Sequence, residues 1–506
     1  MCHTACNGEI VFELLCKWLD ILFDIGLDVK VVISDQGSNF MQMTRKLGIT
    51  PDRPYFLYAE RVYCYMYDPP HLLKSVRNNL FKYSIEFDDQ KTARWTDITN
   101  FFQIDQKQRF RLAPKLTKRH VELPAFSKMK VKLAAQVISR TVAAALETHS
   151  QIVGSSCSET AEFLMKFNDI FDCMNTLLLR DPNKRKRAVS VGNDTCEQTA
   201  FLKECLNWLA TIRVKNASGK DVTSSIKCFA GWQLSIASLL TLKSELRDHM
   251  NDFKFILSRR LNQDPLENFF STIRQKGGSC DNPTPLDFMR LFKQLCCKQL
   301  LVASVSGNSE VDLSVVLATL TASKSQKTEQ HASTSPISNI AVTGTTFPGD
   351  LTHACLEENG LYYVCGYLLR KLLKWHNCVD CDIMLHEIEP AADSVNIYLR
   401  QRSFTDLSRG GLISVSSCFY DYVMHCERIF ATVFESSGHE TKLLQRLVNR
   451  LSEVIAPVNC TSFPKTKFLH VFVRMRIYYC LKFCNRNLKQ KPPQKKHKKL
   501  SKIQHT

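Results

Sequence analysis

The sequence predicts an α/β fold in its amino-terminal part, joined to a mainly helical middle and a helical carboxyl-terminal region. Three observations carry that expectation. A helix-spaced apolar stripe (Ile10, Leu14, Leu15, Trp18, Leu19, Leu22, Phe23) runs through Gly26 into the β-branched run Val31-Val32-Ile33. Two aromatic-rich strand patterns follow, at Tyr55–Tyr58 and Val62–Tyr67. Beyond residue 90, helical periodicity dominates.

Each element has a local cause. Gly26 closes the first helix, and the short apolar run after it reads as a central parallel strand ending in Ser34-Asp35-Gln36-Gly37, with Gly37 allowing a sharp turn. Carboxylates at the carboxyl ends of parallel strands lie where open α/β sheets place their chemistry, which singles out Asp35. Met41 to Leu47 reads as a short helix. Val62–Tyr67 ends in Asp68-Pro69-Pro70-His71, where Asp68 suits an N-cap and Pro69 the first helical position. Lys74 and Arg77, at i and i+3 on that helix, are placed either to meet phosphates or to form a solvated face.

The middle region contains a long helix from Phe126 through Ala145 and a second from Glu159 to Leu179, with Asp172 and Asn175 as an i, i+3 polar pair. Lys184-Arg185-Lys186-Arg187 follows as a cationic turn. Trp232 to Phe255 is helical. Asp264 is placed as a cap and Pro265 as the start of a helix carrying Glu267 in its first turn, with Leu266, Phe269, Phe270 and Ile273 facing a core. Gly277-Gly278 ends it, and Pro283 to Leu301 holds another.

Residues 319–350, rich in Ser and Thr, read as a flexible linker. A helical region then begins around Gly360–Lys371. Cys378-Val379-Asp380-Cys381 has metal-ligand spacing, with Cys418, His425, Cys426, His470 and Cys480 as candidates to complete a zinc site. From Arg486 onward the chain reads as a disordered basic tail.

The 506 residues are 44% hydrophobic and carry a formal charge of +18, which suits a polyanionic partner such as nucleic acid. The 21 cysteines are scattered through regular elements, as in a chain with reduced thiols. No run approaches the roughly 18 apolar residues of a membrane span, and no Walker or Gly-x-Ser-x-Gly pattern is present.

Three segments together resemble the P-element transposase family, which includes the THAP-domain transposases. They are Ser34-Asp35-Gln36-Gly37-Ser38-Asn39, Asp68-Pro69-Pro70-His71-Leu72-Leu73-Lys74, and Asn262-Gln263-Asp264-Pro265-Leu266-Glu267-Asn268-Phe269-Phe270-Ser271. The resemblance implies a DDE DNA transposase with an RNase H-like fold, interrupted by a helical GTP-binding insertion. On that pattern residues 1–90 are an incomplete RNase H-like part, 91–224 the insertion and 225–318 the rest of the RNase H-like fold. Residues 319–350 are then the linker, 351–485 the helical carboxyl-terminal region and 486–506 the tail.

By the same resemblance Asp35 and Glu267 are catalytic and metal-binding, holding Mg²⁺ or Mn²⁺. Such chemistry uses two cations about 3.5–4 Å apart to activate the attacking oxygen and stabilise the leaving one. GTP, as a structural cofactor that is not hydrolysed, falls to Lys115, Lys130, Asp172, Asn175 and Asp264. DNA is the expected partner, in a homo-oligomer, in the nucleus, with no membrane. The family's first aspartate precedes the helix that begins here near Ile10, and nothing before Ile10 offers it. The zinc-coordinating THAP domain is missing too. The chain is therefore expected not to cut or join DNA, unless Asp68 joins Asp35 and Glu267 to complete a carboxylate trio. The alternative is a domesticated, non-enzymatic DNA- or chromatin-binding protein on the same scaffold.

Overall fold

The computed structural model describes residues 7–181, 183–192, 196–250, 253–278, 283–298, 351–387, 394–402, 412–438 and 440–489. The linker at 319–350 and the tail from residue 490 lie outside them. The described residues of 1–106, 112–337 and 401–411 form one compact unit, and those of 107–111, 338–400 and 412–506 a second.

The first unit opens with α1 (Gly8–Asp24), β1 (Val31–Ser34), α2 (Ser38–Lys46), β2 (Tyr55–Tyr58), β3 (Arg61–Tyr67) and α3 (Pro69–Lys82). The three strands lie in the order β1-β3-β2, with β1 parallel to β3 and β2 antiparallel to it. The Val31–Ile33 strand is therefore at an edge of the described sheet, not at its centre, and its three apolar side chains are only half-buried. The centre is β3, where Cys64, Tyr65 and Met66 are at most 1% exposed. The stripe on α1 also departs from expectation: Leu19 is buried, but Ile10, Leu14, Trp18 and Phe23 are exposed.

After α3 come β4 (Ser84–Phe87), β5 (Lys91–Ala93), α4 (Trp95–Asp105), α5 (Lys118–Val121), α6 (Ala125–Lys128), α7 (Val131–Val137), α8 (Arg140–Val153) and α9 (Ser158–Met174). The long helix expected from Phe126 to Ala145 is thus three pieces. Ser139 breaks it, because its extended backbone (φ −146°, ψ 148°) and its Oγ, accepting from the Val142 N–H at 3.3 Å, make it the N-cap of α8. β6 (Val189–Ser190), α10 (Glu197–Thr211), β7 (Arg213–Lys215), α11 (Cys228–His249), β8 (Phe255–Ile256), α12 (Asp264–Lys276) and α13 (Pro285–Lys298) complete this unit. Strands β5-β4-β7 form a second small sheet, over which Phe87, Phe163, Phe167 and Trp208 cluster.

Helix α11 returns the chain to the first sheet. The Ser235 hydroxyl accepts from the Tyr67 N–H at 3.0 Å and donates to the Tyr67 carbonyl at 2.9 Å, satisfying the last residue of β3 from the helix side. On α12, Ile273 is buried, whereas Leu266 and Phe270 are exposed. Phe269 instead packs edge-on against Phe288 and Phe292 of α13, and Phe270 lies tilted against Phe288.

The second unit is helical: α14 (Leu351–Trp375), α15 (Val379–Leu385), α16 (Ile397–Arg402), α17 (Ser417–Ser437), α18 (Leu443–Ser452) and α19 (Lys465–Lys489). Leu368, Leu372, Leu385, Phe419, Val423, Leu447, Leu451, Phe468 and Phe472 build its core. Helix α19 runs through Arg486, so the first residues of the expected tail are helical.

Candidate functional site

The parallel pairing of β1 with β3 puts Ser34 opposite Tyr67, and the Asp68 N–H donates to the Ser34 carbonyl at 2.8 Å. Asp35 and Asp68 therefore leave neighbouring strands side by side at their carboxyl ends. Asp35 Oδ1 accepts from the Gly37 N–H at 2.9 Å. Gly37 has an ordinary φ of −61°, so conformational freedom is not why it is needed. Space is the reason, since a Cβ there would meet Asn39 Oδ1 at 2.7 Å and Asp35 Oδ1 at 3.0 Å.

Asp68 caps two helices. Its Oδ2 accepts from the His71 N–H at 2.9 Å, as the sequence led one to expect, and its Oδ1 accepts from the Gln263 N–H at 2.7 Å. The second bond holds the entry to α12. Gln263, not Asp264, is the N-cap residue of α12, and Asp264 is its first helical residue, with its N–H on Asn262 Oδ1 at 3.1 Å.

His71 and Lys74 follow Asp68 at successive three-residue steps on one face of α3. His71 Nε2 lies 2.9 Å from Glu267 Oε1, and its Nδ1 lies 3.2 Å from Asp68 Oδ2 without the alignment of a hydrogen bond. Burial alone would depress the imidazole, but the hydrogen bond to Glu267 and the charge of Asp68 lift its pKa above the ordinary value. Glu267 is correspondingly lowered by His71, whereas burial raises Asp68. Lys74 is lowered by burial, and Glu267, Asp68 and Asp35 all act on its ammonium in the opposite sense. His71 thus links the carboxylate at the β3–α3 junction to the one on α12.

The phosphate role considered for Arg77 is overturned. Arg77 is fully buried, its Nη2 donates to the carbonyls of Ser127 at 3.3 Å and Lys128 at 3.0 Å, and its Nε donates to Asn78 Oδ1 at 2.9 Å. Lys74 is half-buried among the carboxylates, not on a solvated face.

The second group of candidates lies at the end of α9. Asp172 Oδ2 accepts from Asn168 Nδ2 at 3.3 Å and Asn183 Nδ2 at 3.1 Å, and Lys186 Nζ lies 3.6 Å from Oδ1. Burial pushes its carboxyl up to about 6. Asn175 is the C-cap of α9, and its buried Oδ1 has no hydrogen-bond partner among the described residues. The next residue, Thr176, is clamped to the turn before α12. Its N–H donates to Ser258 Oγ at 2.9 Å, its Oγ1 accepts from the Ser258 N–H at 3.0 Å, and its carbonyl accepts from the Arg259 N–H at 3.1 Å. Asn262, just beyond, has a buried Nδ2 without a partner among the described residues. The clamp thus joins the segment of Asp172 and Asn175 to the segment leading into Asp264, and each carries an unmatched amide atom. Lys115 is exposed, and Lys130 is half-buried at the N-cap of α7, in the stretch that Arg77 anchors through Ser127 and Lys128.

In the second unit His376, Cys378, Cys381 and Cys460 bring one nitrogen and three sulfurs within 4.8 Å of one another. Cys418, His425, Cys426, His470 and Cys480 are not part of that group. The sequence pointed to Cys378 and Cys381; His376 was legible two residues before them, whereas Cys460, far along the chain, was not. His71 as a bridge and Asn183 and Lys186 as partners of Asp172 were likewise missed, since only folding brings them together.

The fold is mixed α/β, mostly helical, and similar to that of a DNA transposase. Superposition on the Drosophila P element transposase strand transfer complex gives a TM-score of 0.50 at 25% identity, over 58% of this chain and 65% of that one. A family model described as TNP-like, GTP-binding insertion domain matches residues 70–186, and one described as TNP-like, RNase H C-terminal domain matches residues 260–293. The P transposase of Drosophila melanogaster is 25% identical over 93% of this chain and 59% of its own length. Human DNA transposase THAP9 is 24% identical over 88% of this chain and 51% of its own. Together these matches support membership in the P-element transposase family. It spans between half and three-fifths of the length of these two relatives. No described helix is long and apolar enough to cross a membrane.

Proposed function

We propose that this chain is a transposase-type, DNA-binding protein built on a partial RNase H-like sheet. Asp35 and Glu267 would take up Mg²⁺ or Mn²⁺, and the inserted helical region would hold GTP. The observation that carries this reading is that Asp35 and Asp68 leave neighbouring strand ends side by side and that Glu267, from beyond the insertion, meets the same helix through His71. Hard divalent cations prefer carboxylate oxygens, and a basic chain of +18 supplies the attraction to a DNA backbone. When bound, such cations polarise a phosphodiester and activate an attacking hydroxyl.

The chain's own residues limit that chemistry. Asp68 already accepts from two backbone N–H groups, and His71 and Lys74 supply positive charge where a cation would sit. Asp35 and Glu267 remain as the available donors, too few to clamp two ions. The protein as given is therefore expected to bind DNA and a cation in the nucleus, as a homo-oligomer on DNA, without cleaving. This keeps the non-enzymatic DNA- or chromatin-binding reading in play, supported by the same self-neutralised carboxylates.

For GTP, the reading rests on the buried Asn175 Oδ1 and Asn262 Nδ2, an acceptor and a donor without partners among the described residues, on the two segments that the Thr176–Ser258 clamp joins. A carboxylate accepts from guanine N1 and its exocyclic amine together. Lys115 and Lys130 are assigned to the phosphates, and Asp264 to the nucleotide at the start of α12.

The test is a plasmid-nicking and DNA-binding assay on purified protein in Mn²⁺, run beside Asp35→Ala and Glu267→Gln. Binding by all three with no nicking supports the proposal. Nicking by the wild type that both substitutions abolish would show a complete active site, and absence of DNA binding at moderate salt would end the reading.

A further inference from the structure

We propose that His376, Cys378, Cys381 and Cys460 hold one zinc ion in a closed, structural Cys₃His site within the carboxyl-terminal unit. The four donor atoms come from three places: His376 just past the end of α14, Cys378 and Cys381 at the N-cap and third residue of α15, and Cys460 in the connection between α18 and α19. A tetrahedral zinc ion with Zn–S of about 2.3 Å and Zn–N of about 2.0–2.1 Å sets sulfur–nitrogen edges of roughly 3.5 Å and sulfur–sulfur edges of roughly 3.8 Å. His376 Nε2 lies 3.4 Å from both Cys381 Sγ and Cys460 Sγ, and all four atoms lie within 4.8 Å of one another. That size fits a single ion.

The chemistry of the set narrows the ion. Three thiols and an imidazole suit a soft or borderline cation and not Mg²⁺ or Ca²⁺. Four protein ligands leave no open position for a substrate, which separates structural from catalytic zinc. A disulfide explains the geometry less well: it would consume two sulfurs and leave a thiol and an imidazole nitrogen at 3.4 Å with no function, and these cysteines are all free thiols in the structure.

The Ser462 hydroxyl lies 3.2 Å from Cys460 Sγ, as an outer partner of metal-bound sulfur does. Phe463 packs edge-on to the His376 ring at 6.4 Å, restricting its rotation. Next to the group, Leu372 and Leu385 enter the apolar core. The ion would thus fix the α14–α15 turn to the α18–α19 connection. This site lies apart from the DNA and nucleotide reading and stands or falls independently of it.

Metal content of the full chain, purified without chelator, decides the matter. One zinc per chain is expected by plasma mass spectrometry, released on titration of three thiols with a mercurial. Cys460→Ala and Cys378→Ala should each lose at least nine-tenths of it, while Cys418→Ala, outside the group, keeps it. Should the first two variants fail to fold, wild-type protein reconstituted with Co²⁺ should show the intense visible absorption of a tetrahedral thiolate site. Zinc below a tenth of an equivalent, a Cys378–Cys381 disulfide in peptide maps, or a cobalt spectrum without thiolate bands would overturn the proposal.

Discussion

His71 Nε2 sits 2.9 Å from Glu267 Oε1, so an imidazole on α3 ties the candidate catalytic carboxylate on α12 to the strand-end carboxylate Asp68. This link has a pH signature. His71 titrates above its ordinary 6.5, so its contribution to stability is complete below about 6.5 and is lost as pH rises through the folded value. Glu267 titrates below its ordinary 4.5, so its share is complete above 4.5 and is lost as pH falls through the folded value. Asp68, raised by burial, acts in the opposite sense to Glu267. In chelator, His71→Gln should therefore cost about 1–2 kcal/mol between pH 4.5 and 6.5, and progressively less toward pH 9. Thermal unfolding across that range measures it, and a pH-independent cost would mean that the imidazole acts by packing alone.

Asp172 presents a conflict between stability and binding. Its carboxyl is pushed up to about 6 by burial, so the folded state holds the proton more tightly than the unfolded chain, and stability falls as pH rises from 3.8 to about 6. Asp172→Asn removes the buried charge and should raise stability at pH 7.5 by roughly 1–2 kcal/mol. The same variant should lose the thermal stabilisation that GTP gives the wild type, since an amide cannot accept from both guanine donors. In the wild type that stabilisation should itself fade below about pH 6. Nucleotide titrations followed by melting temperature test both halves.

The sequence made local features legible where a neighbouring residue is the cause. The Asp68-Pro69 cap and the β2 and β3 strands needed only turn chemistry and periodicity, whereas α12 is capped by Gln263, one residue before the expected Asp264. What was not legible depended on partners far along the chain. The Val31–Ile33 run has the composition of a central strand, yet its place at the edge follows from what pairs with it. The apolar stretch from Phe126 to Ala145 has helical periodicity throughout, yet it breaks at Met129–Lys130 and again at Ser139, whose hydroxyl caps the following helix. The pairing of His71 with Glu267, and of Cys460 with His376, spans the insertion in one case and four helices in the other. No spacing rule reaches that far.

Arg77 should be a stability residue that reads out at the nucleotide. It is buried without a carboxylate partner, and burial lowers its pKa to about 10. Its bonds go to the carbonyls of Ser127 and Lys128, two residues before the Lys130 assigned to phosphate. Arg77→Met removes both charged hydrogen bonds, although the Ser127 carbonyl keeps the Lys130 N–H and the Lys128 carbonyl keeps Asn78 Nδ2, and should cost about 1.5–3 kcal/mol, read from the urea midpoint. GTP affinity should fall as well, although the side chain touches no nucleotide in this reading. Arg77→Lys should not restore either property, because one ammonium lacks the planar fork that spans Asn78 and both carbonyls.

In the carboxyl-terminal unit, Glu427 on α17 and Arg476 on α19 form a paired bidentate contact, with Nε to Oε2 at 2.6 Å and Nη2 to Oε1 at 2.5 Å. Both are buried, and the guanidinium lies 4.2 Å from the Phe110 ring centroid and 5.3 Å from that of Phe430. Desolvating two charges consumes most of their attraction, so the pair as a whole contributes little, but removing one partner strands the other in an apolar setting. Glu427→Ala should therefore cost about 3–5 kcal/mol. The double variant Glu427→Leu/Arg476→Met, which fills similar volume without charge, should be more stable than either single variant, and within about 1 kcal/mol of the wild type. Denaturant midpoints of the four proteins form the cycle. If the two single costs merely add in the double variant, the charges are not coupled, and the packing of Arg476 on its aromatic neighbours, not the ion pair, holds α17 to α19.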